Sequence, residues 1–397
     1  MFEFPDRLAR LAFIASLGLG TALATPQDPT RTLRVFVGRP AGPAPMVGFD
    51  TAHSYSTRLP LPERPAILWR ARVSAGIRGD IVTDGKALVA ITNGNSLVQL
   101  DVRGKETWSA RPAAGALLAR PAITAKSERI AVSSSGKLLV ASPRGQSREV
   151  SLPIAINRPT TPLPVESGGV VLCSGPDALW LTQDYGIRVQ SKLPDDIIDS
   201  VARAEDVLLV TTRGDVFGWR PPAAPRRLAS FGGRVGGGVA LSSPTHVTAV
   251  VDGVRLVDVN LKSDTRHIRL QSTTPLQGPP TLLTSGEVLV TTSQGLLLGY
   301  DRSGLETWRV ATEPALAAAG AASVGADAPA VIGGSGRVAV ARPGLDVALI
   351  SADGTLVAAP GTACTDPESL VPLAPRRLVL ACADGELFGI GSGKASR

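Results

Sequence analysis

The chain has 397 residues and a formal net charge of +7, with 42 glycines, 32 prolines and only three cysteines. Single hydrophobic cores rarely grow past about 250–300 residues, so this length predicts either two domains or a repeat that extends without thickening its core. The positive charge comes mainly from arginines scattered along the whole sequence. Because nucleic-acid-binding domains cluster their basic residues, we expect no nucleic-acid partner.

The first 24 residues predict a secretory signal peptide. Arg7 and Arg10 precede an uncharged apolar run, Leu11 to Ala24, which ends in "ALA", the small-x-small form that signal peptidase accepts. The run is too short for a typical membrane-spanning helix, although an uncleaved anchor is the alternative. The residue directly after the run is Thr25 and not the cysteine that a lipoprotein signal requires. We therefore expect an exported protein of the periplasm or outer membrane that is not a lipoprotein and has no transmembrane segment in its mature chain.

Residues 25–65 are rich in proline and lack hydrophobic periodicity, which predicts an extended lead-in lying over the surface of the folded domain. His53, in the stretch "GFDTAHS", is a candidate for docking this lead-in. The other two histidines are His246 and His267. Their spacing does not favour a zinc site, and we expect the three histidines to be solvated or individually satisfied at the surface.

Pairs of apolar runs separated by a glycine-centred turn recur from residue 87 to the end of the chain. Glycine suits such turns because it adopts positive φ without strain. The turn glycines are separated by 39 to 49 residues and define eight units: Gly94, Gly136, Gly175, Gly214, Gly253, Gly295, Gly344 and Gly385.

Each unit also has a strand before its hairpin and another after it. Four short antiparallel strands in about 40 residues are typical of a β-propeller blade. The last unit ends one strand short, whereas "AILWRARV" at residues 66–73 precedes the first unit without a hairpin of its own. We predict an all-β, eight-bladed propeller of four-stranded antiparallel blades over residues 66–393, closed by this N-terminal strand, with residues 394–397 as a C-terminal tail.

Two segments, "DVRGKETW" and "DRSGLETW", resemble the tryptophan-docking motif of propellers related to pyrroloquinoline quinone (PQQ) enzymes. In that family the tryptophan packs between neighbouring blades, against the backbone of the next unit. Trp69 lies 39 residues before the first motif tryptophan. The resemblance thus implies a structural docking role for Asp101, Gly104, Trp108, Asp301, Gly304 and Trp308, and we extend this role to Trp69.

Two branches of this superfamily fit the pattern. Quinoprotein dehydrogenases hold the quinone and Ca²⁺ on the propeller axis, whereas propellers of the BamB type are non-catalytic and recruit partners in outer-membrane assembly. The length resembles the second branch, although its lipid-bearing cysteine is missing. A Ca²⁺ site needs clustered carboxylates and amides, but the chain has only four asparagines and its acidic residues are dispersed. We expect no catalytic residue, cofactor or metal.

The three cysteines and one glycine-rich stretch also allow structural predictions. Cys364 and Cys382 are predicted in neighbouring strands of the last unit, either as a disulfide or as two buried thiols. Cys173 is predicted to be a small buried hydrophobe. The stretch "GGRVGGG" at residues 232–238 precedes no predicted helix, so we interpret it as a linker between blades rather than a phosphate-binding loop.

The sequence as a whole favours an exported, monomeric, non-enzymatic scaffold that binds a protein partner in the cell envelope. Two alternatives stay open: a quinone-dependent dehydrogenase or its degenerate relative, and a sensor or glycan-binding propeller.

Overall fold

The computed structural model describes residues 49–50, 53, 56–57, 59–165, 168–203, 206–283, 286–311, 331–332, 337–341, 347–351, 356–357, 362 and 364–393. Within these ranges the only regular secondary structure is β-strand. The predicted signal peptide, the tail at 394–397 and the seventh turn glycine, Gly344, lie outside the described residues.

The strands of the described residues pair into eight antiparallel sheets of four strands each, which we call blades. The chain begins with β1 (Pro65–Arg72). Blade 1 contains β2 (Val82–Thr83), β3 (Ala87–Ile91), β4 (Leu97–Asp101) and β5 (Glu106–Ala110). Blade 2 contains β6 (Leu117–Ile123), β7 (Arg129–Ser133), β8 (Lys137–Ala141) and β9 (Ser147–Ser151). Blade 3 contains β10 (Leu163–Pro164), β11 (Val170–Ser174), β12 (Asp177–Leu181) and β13 (Ile187–Lys192). Blade 4 contains β14 (Ile197–Arg203), β15 (Asp206–Thr211), β16 (Asp215–Trp219) and β17 (Arg226–Ser230).

The second half of the chain repeats the same order. Blade 5 contains β18 (Val235–Ser243), β19 (His246–Val251), β20 (Arg255–Asn260) and β21 (Thr265–Gln271). Blade 6 contains β22 (Leu276–Leu282), β23 (Val288–Thr292), β24 (Leu296–Tyr300) and β25 (Glu306–Ala311). Blade 7 contains β26 (Val331–Ile332), β27 (Val338–Ala341), β28 (Val347–Ile350) and β29 (Leu356–Val357). Blade 8 contains β30 (Pro367–Ala374), β31 (Arg377–Cys382) and β32 (Glu386–Ser392), and β1 is its fourth strand.

The N-terminal strand completes the last blade, as the sequence predicted. β1 pairs antiparallel with β32, from Pro65 opposite Ser392 to Arg72 opposite Glu386. The first and last strands of the propeller therefore share one sheet, and their pairing holds the two ends of the domain together. The all-β fold and its four-stranded antiparallel blades are confirmed.

The blades form a ring whose innermost elements are their first strands. Successive first strands contact each other across most of the ring, including β2 with β6, β14 with β18, and β30 with β2. Between blades 6 and 7 the contact is apolar, with Leu289 and Leu297 clustered with Val338 and Ile350. Sheets that face each other in this way interdigitate their side chains into a dry core.

The burial of each strand follows its place in the blade. Every residue of β3 is buried, because both of its faces are covered by neighbouring blades, and its sequence is a continuous apolar run. From Ile67 onward, β1 alternates between half-buried and exposed residues, as an outermost strand should. The apolar runs and the alternating runs of the sequence therefore correspond to inner and outer strands.

The described turn glycines lie in the hairpins between the second and third strands of their blades. In the first hairpin, however, a residue other than the predicted glycine adopts positive φ. Six of these glycines have positive φ, for example 75° at Gly136 and 82° at Gly214. In the first hairpin the left-handed residue is Asn95, with a φ of 61°, and Gly94 has no positive φ. Asparagine tolerates this region better than most residues. Its amide also accepts the backbone N–H of Leu117 at 2.6 Å, which ties this turn to blade 2.

The interpretation of residues 232–238 as a linker is wrong for its second half. Val235 to Gly238 belong to β18, the first strand of blade 5. A β-carbon at Gly237 would lie 2.6 Å from the carbonyl oxygen of Gly278 in β22. Glycine is needed here because the backbones of two inner strands approach closely.

Candidate functional site

The repeated Asp-x-x-Gly segment forms the tight turn between the third and fourth strands of a blade. The Asp101 Oδ1 accepts the backbone N–H groups of Arg103 at 2.8 Å and Lys105 at 2.9 Å. Gly104 donates its N–H to the Asp101 carbonyl at 3.0 Å and has a φ of 79°. The aspartate caps the turn from within, and the glycine supplies the left-handed residue that closes it.

Asp301 makes the same turn in blade 6. Its Oδ1 accepts the N–H groups of Ser303 at 2.8 Å and Leu305 at 2.9 Å, and Gly304 has a φ of 87°. The Ser303 hydroxyl, followed by the Leu305 N–H, lowers the pKa of the Asp301 carboxyl. The two motif aspartates thus stabilise their own turns.

Trp108 docks on the next blade, as the resemblance implied. Its ring lies over Gly145 in the β8–β9 turn, where an added β-carbon would be 2.8 Å from Cγ of the ring. The indole Nε1–H donates to the Pro143 carbonyl in the same turn at 3.2 Å. The tryptophan therefore uses both its flat face and its single donor to join blade 1 to blade 2.

We predict that Trp108→Phe lowers the free energy of unfolding by about 1 kcal/mol, the net contribution of one neutral hydrogen bond. Phenylalanine keeps an aromatic ring over Gly145 but cannot donate to Pro143. Urea denaturation monitored by circular dichroism measures this loss, and Trp108→Ala should lose more because the stacking is also removed. A Trp108→Phe variant as stable as the wild type would contradict a role for the indole donor.

Trp69 makes the equivalent contact across the closure of the ring. It lies opposite Gly389 in β32, and a β-carbon at Gly104 in blade 1 would be 2.9 Å from its Cζ3 atom. Trp69 therefore packs between blades 8 and 1. The motif glycine of blade 1 thus receives the tryptophan of the preceding blade.

For Trp308 only the backbone position can be compared. It lies in β25 opposite Gly299, at the place that Trp108 occupies opposite Gln99 in blade 1. Its side chain lies outside the described residues. The docking role of Trp308 stays a prediction.

Other blade junctions use residues that the motif search missed. In blade 3 the left-handed turn residue is Tyr185, with a φ of 66°, and its hydroxyl donates to Glu128 of blade 2 at 2.6 Å. The Arg148 guanidinium of blade 2 lies 5.0 Å from the centre of the Tyr185 ring. This cation–π contact joins blade 2 to blade 3, a junction at which neither blade supplies a motif tryptophan.

An arginine joins blade 5 to blade 6. Arg269 is 8% exposed, pairs with Asp258 at 3.0 Å and donates to the Asp301 carbonyl at 3.3 Å. A β-carbon at Gly304 would lie 2.8 Å from the Arg269 carbonyl. Neither Arg269 nor Asp258 belongs to the tryptophan motif, so a search for that motif misses this junction.

Part of the described lead-in is buried, which corrects the surface prediction there, whereas Pro60, Glu63 and Arg64 are exposed as predicted. Phe49, His53 and Leu61 are 4%, 3% and 2% exposed. The surface placement of His53 is therefore wrong, but its predicted role in docking the lead-in is confirmed by its contact with Asp199. His267 is exposed as expected. Composition misled here because a few anchoring side chains are enough to bury a segment that is otherwise rich in proline.

His53 reaches the inner strands through an ion pair. Its Nδ1 lies 3.1 Å from Oδ2 of Asp199 in β14, 146 residues further along the chain. The Asp199 Oδ2 also accepts the N–H of Val239 in β18 at 2.9 Å. One carboxylate thus connects the lead-in to the first strands of two blades.

The charges around His53 favour its protonated form. Burial lowers the pKa of the imidazole, but the Asp199 charge and hydrogen bond, with Asp50 added, outweigh burial and raise the pKa above 6.5. Arg120 opposes this effect and is itself paired with Asp80 at 2.7 Å. We call His53, Asp199, Asp50, Arg120 and Asp80 the axial cluster.

The inner strands are irregular near this cluster. Register shifts interrupt β6, β14, β18 and β22, and they span Leu118 to Ala122, Ile197 to Asp199, Val235 to Val239 and Gln277 to Thr281. Such bulges re-aim side chains and are frequent beside functional sites. Arg120 and Asp199 both fall at these shifts, so the bulges place the charges that meet His53.

Cys364 and Cys382 form a disulfide, with their α-carbons 5.9 Å apart. The bond joins the end of β31 to the segment that leads into β30 of the same blade. Cys173 is 1% exposed, and burial raises the pKa of its thiol to about 12. It is the small buried residue that the sequence predicted.

Two searches of the described residues complete the description of the site. No group of three or more histidine, cysteine, aspartate or glutamate side chains in this part of the chain is placed to hold a metal ion. No described helix is long and apolar enough to span a bilayer.

A ring of four-stranded antiparallel blades, with tryptophans packed at two of the junctions between blades, defines the class of this molecule as a β-propeller. Residues 62–221 match the family model described as outer membrane protein assembly factor BamB. No curated protein matches the sequence.

Two solved structures support the same fold. The crystal structure of BamB from Moraxella catarrhalis has a TM-score of 0.64 and 15% sequence identity, covering 84% of this chain and 99% of that chain. The crystal structure of the computationally designed Ika8 protein also has a TM-score of 0.64, with 12% identity and coverage of 81% and 97%. The chain is therefore a β-propeller whose fold resembles that of BamB.

Proposed function

We propose that this protein is an exported, monomeric, eight-bladed propeller that binds protein partners in the cell envelope, without catalysis, during assembly of outer-membrane proteins. The observation that carries the proposal is the match of residues 62–221 to the assembly-factor family, joined to a fold similar to 99% of the BamB chain. We place the protein in the periplasm or at the outer membrane.

The axial cluster supports a non-catalytic role. Quinoprotein dehydrogenases hold their cofactor on the propeller axis, but here the protein's own His53 lies against the inner strand β14. A cofactor bound beside β14 would have to replace this contact. The outer strands and the loops between blades are then the surfaces open to a partner, which is how a scaffold would work.

The disulfide supports an oxidising compartment. Disulfides persist in exported proteins and are rare where glutathione and thioredoxin keep thiols reduced. The Cys364–Cys382 bond and the apolar N-terminal run agree with each other on this point. The completed ring also needs no second copy to finish a sheet, which favours a monomer.

Depletion of the protein from its native host tests the role. We expect less folded β-barrel protein in the outer membrane, restored by the full chain but not by a chain lacking residues 1–24. Cross-linking in the same cells should join the propeller to an envelope protein of the assembly pathway. Unchanged barrel levels would contradict the proposal, and dye reduction by the purified chain with quinone, Ca²⁺ and an alcohol would favour the dehydrogenase alternative.

A further inference from the structure

The buried lead-in has the properties of a bound peptide. Phe49, His53 and Thr57 are all less than 9% exposed, so anchors along this short segment are covered by the propeller. Phe49 and His53 both have positive φ, at 68° and 51°. A non-glycine residue holds that conformation only when its surroundings impose it. The burial of Phe49 and His53 by the propeller therefore fits the backbone conformation that these two residues adopt.

One carboxylate supplies the polar attachment of this segment. The His53 Nδ1 is 3.1 Å from Asp199, whereas its Nε2 is buried and has no hydrogen-bond partner in the described part of the chain. Asp199 therefore provides the polar stabilisation of the His53 imidazole. If the Asp199 carboxylate were neutralised or removed, the buried imidazole would lose its hydrogen-bond partner. Such a loss costs more than the net gain of an ordinary hydrogen bond.

We propose that the axial cluster is a peptide-binding site, that the segment carrying Phe49, His53 and Thr57 is its resident ligand, and that protonation of His53 holds these anchors in place. The ligand class is a short segment with a turn, in which the His53 N–H donates to the Asp50 carbonyl at 3.1 Å, and which presents an imidazolium group to Asp199. The proposal concerns the inside of the ring and stands apart from the scaffold role, which uses the outside.

The direction of the pH dependence follows from the charges that face His53. Asp199 on β14 and Asp50 on the lead-in favour the cation, whereas burial and Arg120 on β6, paired with Asp80, oppose it. The docked pKa is raised above the free value, so protonation stabilises docking fully below about 6.5. This contribution is lost as pH rises through the docked pKa. The segment that carries His53 should therefore be held less tightly at alkaline pH.

Two measurements on the full chain test the proposal. The chain has only three histidines, so carbon-13 histidine NMR resolves them, and His53→Gln assigns one signal. We expect that signal to titrate above the range of a free imidazole. Hydrogen exchange of residues 49–57, corrected for intrinsic rates, should become faster as the pH rises from about 6 to about 9. The loss of protection should reach up to about tenfold for each unit by which docking raises the pKa of His53.

The matched control is His246→Gln. His246 is half-buried on β19 and contacts Ser243 at 2.9 Å, away from the lead-in. We expect His53→Gln to remove both the protection and its pH dependence, and His246→Gln to leave both unchanged. Protection of residues 49–57 that is the same in wild type and His53→Gln at every pH would overturn the proposal.

A second arm tests binding in trans. Residues 49–57 are replaced by a glycine–serine segment of equal length in the full chain, and a labelled peptide with the sequence of residues 47–59 is added. We expect binding that is tighter at acidic pH, and a His-to-Gln peptide without this pH dependence. A folded variant that fails to bind the peptide would overturn the peptide-site proposal, and the exchange and NMR arms stand if the variant does not fold.

Discussion

Replacing Gly104 with alanine lowers the free energy of unfolding by about 2–4 kcal/mol, because strain and steric overlap add at one position. Gly104 has a φ of 79°, in a region that costs an L-residue about 1–2 kcal/mol. The new β-carbon would lie 2.6 Å from Cβ of Ala71 and 2.9 Å from Cζ3 of Trp69. It would therefore push the closing strand away from blade 1.

Gly253→Ala is the matched control for this effect. Gly253 has a φ of 72°, and an added β-carbon would meet nothing within 4 Å. This variant carries the same backbone strain without the overlap, so we expect a loss of only about 1–2 kcal/mol. Urea denaturation of both variants separates the two contributions. Equal losses would show that Trp69 and Ala71 do not seal the ring at Gly104.

Removing the disulfide has the second large expected effect. The bond closes a segment with a sequence separation of 18 residues, for which the loop-entropy model gives about 3 kcal/mol. The double variant Cys364→Ala, Cys382→Ala should lose about this much stability. Blade 8 also holds the closing strand β1, so loosening it weakens the whole ring.

A reductant distinguishes the disulfide from simple packing. Dithiothreitol should bring the wild type to the level of the double variant and leave the double variant unchanged. Cys173→Ala is the control, since its buried thiol with a raised pKa takes part in no disulfide and should respond to reductant as the wild type does. A wild type whose melting temperature ignores the reductant would show that the bond does not stabilise blade 8.

The strand order of the propeller was predictable because each blade repeats a local pattern. The turn glycines, the apolar second strands and the alternating β1 are all readable within a few residues. The closure by β1 followed from counting strands, since the last unit ended one short. These features depend on sequence-local sterics and burial, which a single sequence displays.

The axial cluster was not predictable in the same way. His53 and Asp199 are 146 residues apart, and neither belongs to a repeated pattern. The junctions formed by Tyr185 and Arg269 were missed for a different reason. These residues join neighbouring blades through a phenol hydroxyl and a guanidinium group, whereas Trp108 joins them through its indole. Different side chains can serve one packing role, so a motif search finds only some of the junctions.

Hydrogen exchange of the amides of β1 tests the closed ring most directly. If β1 is the fourth strand of blade 8, the amides of residues 66–72 that donate to β32 exchange as slowly as those of β31 and share their free energy of opening. Exchange of these amides at the rate of an unstructured peptide, while β31 and β32 remain protected, would contradict closure by the N-terminal strand.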